Sequence, residues 1–490
     1  LYKFKGEEEY IAARLIVSVG IPSRGTVDGI DIQKTEPILI LFNIKKYPWS
    51  APQVRMDRRD FPVKNVPHLN IVLPGEPSYL CLHRGEIDDW FDDHSIIDFV
   101  NRARGWLEKA AQGKLIGDHD RFEPTRIGID RWFGISIFNY QNFSDYIFNA
   151  WSNNQGKHVA YVNCHLSFQD KFFEWVKLFS GNIFSSGKAL IEKESQDQNE
   201  SSVEKDWVLC PGLLLWADES FVYNNYLSEL PQNLKDLENF SMSLGINSEE
   251  AINQAIREES VFNKSFIPVF ICIKRRLKLI GKDTPIEILS FVVHLHEAEV
   301  GNTPVYILQH REPVTTGFAK YLSRVDTNLE PNILLFGCGA LGSKIGLHLG
   351  REGLTNLTLV DNDCLSPHNL VRHALLNGSS GKNKARMVED AIRGIYLEGK
   401  TDIKISSIAG DAFNILSNSK ETVIKKQNLI IDASASKALF SSLIDNHDCF
   451  GKSIIRCEIA DGGKLGISLI KNRDKSPKLE DLQVSLYDLA

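Results

Sequence analysis

The run Asn332-Ile-Leu-Leu-Phe-Gly337-Cys-Gly339-Ala-Leu-Gly342-Ser343 constrains the fold of this chain more than any other segment. An apolar stretch leads into G-x-G-x-x-G and then into a helical pattern. That order predicts a parallel strand, a tight turn and a helix whose first N–H groups face phosphate. A second apolar run, Leu357 to Val360, ends in Asp361, where a ribose-binding acid is expected. A third, Leu429 to Ile431, ends in Asp432. Ligands of open α/β sheets bind outside the carboxyl ends of strands, so Asp432 is expected at an exposed strand end, placed to hold magnesium.

Each glycine has its own task. Gly337 makes the turn, Gly339 lets backbone approach phosphate, and Gly342 lets the helix pack against the strand. The glycines alone serve any dinucleotide-binding fold. His368-Asn369-Leu-Val-Arg372-His373 and Gly381-Lys382-Asn383-Lys384-Ala385 discriminate further. Arg372 offers a planar fork of donors for phosphate oxygens, and Lys384 a point charge against a triphosphate. Charges beyond the glycines suit ATP with magnesium better than a nicotinamide cofactor. An NAD(P)-dependent oxidoreductase, which needs neither Lys384 nor Asp432, is the rival enzyme reading.

A length of 490 residues predicts roughly three domains. A net charge of −7 without a domain-wide basic excess excludes nucleic acid as the main partner. The densest basic run, Lys274-Arg275-Arg276-Leu-Lys278, reads as a solvated strand end. Eight cysteines without C-x-x-C pairs suggest neither a disulfide framework nor a zinc site, and fit a reducing cytoplasm. No apolar run reaches the ~18 residues of a membrane span, and no signal peptide is visible. The chain opens on Leu1, so residues before it are expected to lie beyond this sequence.

The expected fold class is α/β and multi-domain. Residues 1–118 read as an α+β domain, with strands at Ala13 to Val19 and Ile38 to Ile44. A helix from about His94 to Lys114 follows, carrying Ile96, Ile97, Phe99, Val100, Trp106 and Leu107 at helical spacing. Residues 119–327 read as a mixed α/β domain without a legible role, the polar tract Glu192 to Glu204 being an exposed loop. Residues 328–490 alternate strand and helix in the doubly wound manner.

The first domain carries an ordered set of landmarks. Tyr47-Pro48-Trp49-Ser50-Ala51-Pro52-Gln53-Val54 precedes His68-Leu69-Asn70, then Tyr79-Leu80-Cys81-Leu82, Trp90 and Ser95-Ile96-Ile97-Asp98-Phe99-Val100. Alone, Cys81 between two leucines reads as a buried structural thiol. The order of landmarks resembles the ubiquitin-conjugating fold: a Y-P-x-x-P-P-x-V strand end, an H-P-N turn, a cysteine within I-C-L, a tryptophan and a helix. The resemblance implies that Cys81 accepts an acyl group as a thioester, a task for a good nucleophile that is also a good leaving group. It implies that Asn70 holds the loop or the oxyanion. His68-Leu69-Asn70 departs from H-P-N, and His83 is a candidate local base.

Gly337 to Asp432 resembles the adenylation domain of the ThiF/MoeB and ubiquitin-activating family. The resemblance implies that Asp361 holds ribose, that Asn369, Arg372 and Lys384 contact phosphates, and that Asp432 binds magnesium. A protein C-terminal carboxylate would attack the α-phosphate of ATP, and the enzyme would be a homodimer. The family's acceptor cysteine lies downstream of the magnesium acid. Here only Cys449 and Cys457 follow, and Cys457 reads as core.

Both resemblances in one chain are similar to the bacterial fusion of CBASS anti-phage operons, which joins a cGAS-like nucleotidyltransferase through its C-terminus to an amine, expected to be lysine. A docking module in which the conjugating fold is catalytically silent is the non-enzymatic alternative.

Overall fold

Alternating apolar positions build the first sheet. The computed structural model describes residues 2–5, 9–26, 30–72, 76–117, 120–127, 133–153, 158–169, 175–186, 189, 208–257, 265–295, 303–376, 381–396, 403–417, 423–449, 451–472 and 477–489. The tract Glu192 to Glu204 lies outside them. Strands run in the antiparallel order Tyr2–Lys5, Glu9–Ser18, Thr35–Asn43, Gln53–Met56, Tyr79–Leu80, Leu69–Asn70. Ile38, Ile40, Val54 and Met56 point to one face and pack on the helix Ile96–Ala111. That helix starts where Ser95 and Asp98 form a reciprocal capping box. It buries Phe99, Ala103, Trp106, Leu107, Ala110 and Ala111. Ile97 is 68% exposed, because a helix has room for one buried stripe and Phe99 and Ala103 define it.

The middle sheet is apolar on both faces, so its strands read as continuous hydrophobic runs rather than alternating ones. Leu213, Leu215, Val269 and Ile271 enter one core, while Leu214, Trp216, Phe270 and Cys272 enter the other. The order is Val208–Leu209, Val159–Gln169, Gly212–Trp216, Phe266–Lys274, Ile286–His294, Val305–Arg311, Gly134–Ile137, Trp175–Phe184. A further pairing of Val159–Gln169 with Trp175–Phe184 joins the order back on itself. Arg275 is not the solvated charge its basic run suggests. It is 1% exposed and ion-paired with Glu287, which supplies the counter-charge that burial demands.

A short strap, Arg121 to Ile127, crosses between these two sheets. Phe122 enters the middle core, stacks on Tyr226 with centroids 4.7 Å apart, and lies under the Arg275 guanidinium. Its N–H donates to Lys278 O, and Ile280 N–H donates to its carbonyl. At the other end Ile71 N–H donates to Arg126 O. These two sheets belong to one compact unit, Leu1–Glu312; Pro313–Ala490 forms another.

In the second unit five strands are parallel and one is antiparallel. Their order is Ser406–Ala409, Leu357–Asp361, Ile333–Phe336, Leu429–Asp432, Ser453–Ala460, Leu465–Lys471. Numbered along the unit this is 3-2-1-4-5-6, so strand order reverses beside Ile333–Phe336, the strand that leads into the glycines.

Truncating Phe122 to Ala should lower the stability of the first unit by roughly 3–5 kcal/mol, because an aromatic ring leaves a filled core. Denaturation followed by Trp fluorescence and limited proteolysis of the whole chain checks it.

Candidate functional site

The glycine turn sits at the strand-order reversal, and its three glycines differ in physical role. Gly337 has φ +82°, and a Cβ there would lie 2.8 Å from the Ser434 backbone. A Cβ at Gly342 would lie 1.7 Å from Gly337 O. Both are required by the chain itself. At Gly339 a Cβ would meet nothing within 4 Å, so the bare backbone there serves something other than packing. This is the approach that a phosphate needs.

One carboxylate and one histidine shape the turn. Asp361 accepts from Cys338 N–H at 2.6 Å and Asp363 N–H at 2.8 Å. His373 donates from Nε2 to Cys338 O at 2.9 Å, while its Nδ1 accepts from Leu375 N–H. Burial holds its pKa below the usual histidine value, in keeping with a neutral ring in that tautomer. Asn369 caps its own 3₁₀ turn by accepting from Ser366 N–H. Arg372 follows, exposed, and has no ion-pair partner among the described residues. Lys384, 7% exposed, begins the helix Lys384–Ile395, and its Nζ pairs with Asp363.

Asp432 departs from expectation. It is 0% exposed rather than at an open strand end. One oxygen accepts from Ser434 N–H and Oγ–H, and the other from Arg456 Nη1 at 3.1 Å. As it stands the carboxylate does not fit a metal, since both oxygens are engaged and its charge is neutralised. Among the described residues no group of three or more His, Cys, Asp or Glu could hold a metal ion. The missed partner, Arg456, carries no motif; it sits in the largely apolar run Ser453 to Ala460 and also pairs with Glu458 at 2.7 Å. Its neighbour Cys457 is half-buried rather than core, on a strand paired to Leu465–Lys471, with Sγ 3.8 Å from Ser468 Oγ.

In the first unit Cys81 follows the strand Tyr79–Leu80 and is half-buried, unlike Cys164, Cys210, Cys272, Cys338 and Cys449. Leu80 takes the core position beside it. Asn70 donates from Nδ2 to Tyr79 O at 3.3 Å, across the hairpin that presents the thiol. Arg102 on the long helix donates to Leu82 O at 2.7 Å and contacts His83 Nδ1 at 3.0 Å, so His83 is tied to the helix. Arg102 also lies over Trp90 at 4.6 Å, which gives that tryptophan a task in the thiol loop.

The histidine on the thiol is His68. Cys81 N–H donates to His68 O at 3.0 Å, the His68 ring interacts electrostatically with the thiol, and Cys81 Sγ–H donates to His83 O at 3.4 Å. Burial lowers the His68 pKa, but Cys81 and Glu123 outweigh it and lift it to about 9. The stabilisation from this raised value is complete below the ordinary 6.5 and is lost as pH rises through about 9. His68 has φ +56°, a left-handed conformation uncommon for a residue with a side chain. No sequence signal pointed to Glu123, which lies beyond the landmarks of the conjugating fold.

Asp432→Ala should leave buried Arg456 with Glu458 as its remaining counter-charge and cost roughly 1–3 kcal/mol in the second unit. Thermal unfolding of the variant beside an Asp432→Ala/Arg456→Leu pair checks it: the double variant should recover much of the loss.

Residues 5–129 match the family described as Prokaryotic E2 family A, and residues 326–444 match the ThiF family. An uncharacterized protein, y4oA, of Sinorhizobium fredii is 27% identical over 144 residues, 28% of this chain and 24% of that one. The ATP-dependent ubiquitin transferase-like protein Cap2 of Enterobacter hormaechei is 32% identical over 111 residues, 23% of this chain and 18% of that one. The matches thus span about a quarter or less of either relative's length. Among solved structures, Escherichia coli MccB with AMPCPP and MccA aligns at TM-score 0.25 and 19% identity, covering 32% of this chain and 48% of that one. The E. coli tRNA N6-threonylcarbamoyladenosine dehydratase TcdA with AMP aligns at 0.22 and 22%, covering 28% and 53%. One polypeptide here joins a stretch matching Prokaryotic E2 family A to a following stretch matching the ThiF family.

Proposed function

We propose that this chain activates a protein C-terminal carboxylate with ATP, receives it on Cys81 as a thioester, and delivers it to an amine. The observation that carries the reading is the pairing, in one polypeptide, of a histidine-backed thiol with a phosphate-directed glycine turn. Similarity to a ubiquitin transferase-like protein supports it. The substrate would be a cGAS-like nucleotidyltransferase in anti-phage defence, the acceptor a lysine, and the enzyme a cytoplasmic homodimer. No helix among the described residues is long and apolar enough to cross a membrane.

In the first step a carboxylate oxygen bonds to the α-phosphorus and the bond to pyrophosphate breaks. The open backbone at Gly339 receives phosphate oxygens, Arg372 and Lys384 neutralise their charge, and Asp361 accepts from ribose hydroxyls. Lys384 is held for this by Asp363, and Arg372, exposed and without an ion-pair partner among the described residues, turns toward the nucleotide. No step runs through magnesium on Asp432, whose carboxylate is taken by Ser434 and Arg456. In the second step the Cys81 sulfur attacks the acyl carbon, the C–S bond forms and AMP leaves. In the third an amine nitrogen replaces sulfur at that carbon, and the thiol is restored. Asn70 holds the hairpin that presents Cys81 throughout.

Gly339→Ala separates packing from binding. Because the added Cβ meets no protein atom, the variant should melt like the parent, while ATP affinity falls about tenfold or more, a loss of ~1.4 kcal/mol. Calorimetric titration with ATP checks it; unchanged affinity would place the nucleotide elsewhere.

Cys81→Ala should keep ATP–pyrophosphate exchange in the presence of the cognate tail and yield no conjugate. Folded Cys81→Ala protein that conjugates normally would reduce the first domain to a docking module. Cys81→Ser should trap an oxyester, since its hydroxyl is the poorer leaving group.

A further inference from the structure

Glu123 grips His68 at two points. One oxygen accepts from the His68 backbone N–H at 2.8 Å, and the other lies 2.8 Å from ring Nδ1. Glu123 is 3% exposed, so this carboxylate has no solvent to share its charge with. Arg126 donates to it from Nε, and Arg126 also interacts electrostatically with the Cys81 thiol. With Nδ1 committed to Glu123, the ring has Nε2 left for sulfur. The backbone grip also holds His68 in its left-handed conformation, which few side chains adopt unaided.

The strap that carries Glu123 takes its own position from the eight-stranded sheet. Phe122 is buried in that sheet's core, and Thr125 N–H donates to Glu287, the same carboxylate that holds buried Arg275. Tyr226 of the middle domain bonds the Glu123 backbone through its hydroxyl and donates its own N–H to Asn65. The middle domain therefore touches the thiol site through a chain of buried contacts.

We propose that Glu123 is a positioning residue of the thiol site, holding the charged His68 ring against Cys81 so that it favours the thiolate, with the eight-stranded sheet fixing Glu123 in turn. The thiolate sulfur forms the C–S bond as AMP leaves, and it departs again as thiolate when the amine displaces it, the amine proton passing to solvent. This gives the middle domain a role in transfer. The geometry is that of a nucleophile, a histidine and an orienting acid, the acid carried on a strap anchored in the eight-stranded sheet. It rests on the reading of Cys81 as acceptor.

Other charged groups face His68. Arg84 Nη2 is 3.4 Å from Nε2 and pairs with Asp120, while the phenol of Tyr226 is near Glu123 and pushed up to about 12 by burial and that carboxylate. Arg84 competes for Nε2 when the ring is neutral and withdraws when it is protonated. The His83 ring is bonded to Arg102, and the His83 carbonyl accepts from Cys81 Sγ–H at 3.4 Å.

The test is the pH profile of iodoacetamide alkylation, read peptide by peptide with mass spectrometry on the full chain. Cys81 in Glu123→Gln should react about tenfold more slowly at pH ~6.5 than in the parent, its profile moved up by about one unit. Glu123→Asp should restore most of that rate. Exposed Cys364 should be unaffected in every variant. His68→Asn, chosen because asparagine tolerates positive φ, should show the same loss. A folded Glu123→Gln or His68→Asn protein whose Cys81 profile superimposes on the parent's overturns the proposal. Alkylation needs neither nucleotide nor protein substrate, so its outcome is independent of whether Cys81 proves to be the conjugating thiol.

Discussion

A carboxylate buried to 3% exposure is costly unless its charge is met, and Glu123 is met on every side by His68, Arg126 and the strap itself. The first unit is organised around that requirement. The conjugating-like sheet supplies the histidine, the middle sheet supplies the footing, and neither makes the arrangement alone. Cys81 stands one hydrogen bond away from it. A structural thiol needs no such surroundings; its ordinary environment is apolar, as at Cys272 and Cys210, where burial pushes the thiol pKa well up.

The second unit spends its acids differently. Asp361 and Asp432 end neighbouring strands on either side of Ile333–Phe336, and both hold backbone or arginine in place. Asp361 ties down the glycine turn, and Asp432 ties the following turn to Arg456. Arg372 and Lys384 bring positive charge to the same end of the sheet, Lys384 paired with Asp363. A turn with one unfilled glycine and positive groups near it suits an anionic ligand.

Much of this was legible from residues alone, for physical reasons. Strong periodicity marked the strands and the capped helix after Ser95, and the glycine turn announced the strand-order reversal. Gly337 and Gly342 have steric causes that a motif encodes well, and Cys81 was reached through the order of its neighbours. The histidine that serves it was named only as a turn residue, since nothing local separates His68 from His83 as the partner. Glu123 was invisible because its meaning depends on tertiary approach: it lies 55 positions from His68. The exposure of Asp432 was misjudged for the same reason. A strand end looks open in sequence, and the arginine that closes it sits 24 positions later without a motif. Arg275 was misread in a basic run because its counter-charge, Glu287, comes from the neighbouring strand.

The central claim is that one chain carries an acyl group from ATP-activated carboxylate to the Cys81 sulfur. Intact and peptide mass spectrometry of the full-length protein, incubated with ATP and a protein bearing its cognate C-terminal tail and quenched in acid, tests it directly. The account predicts an ATP-dependent adduct on Cys81, one water lighter than the sum of the two proteins, that hydroxylamine releases. An adduct-free Cys81 in protein that is turning ATP over to AMP and pyrophosphate with that tail would contradict it.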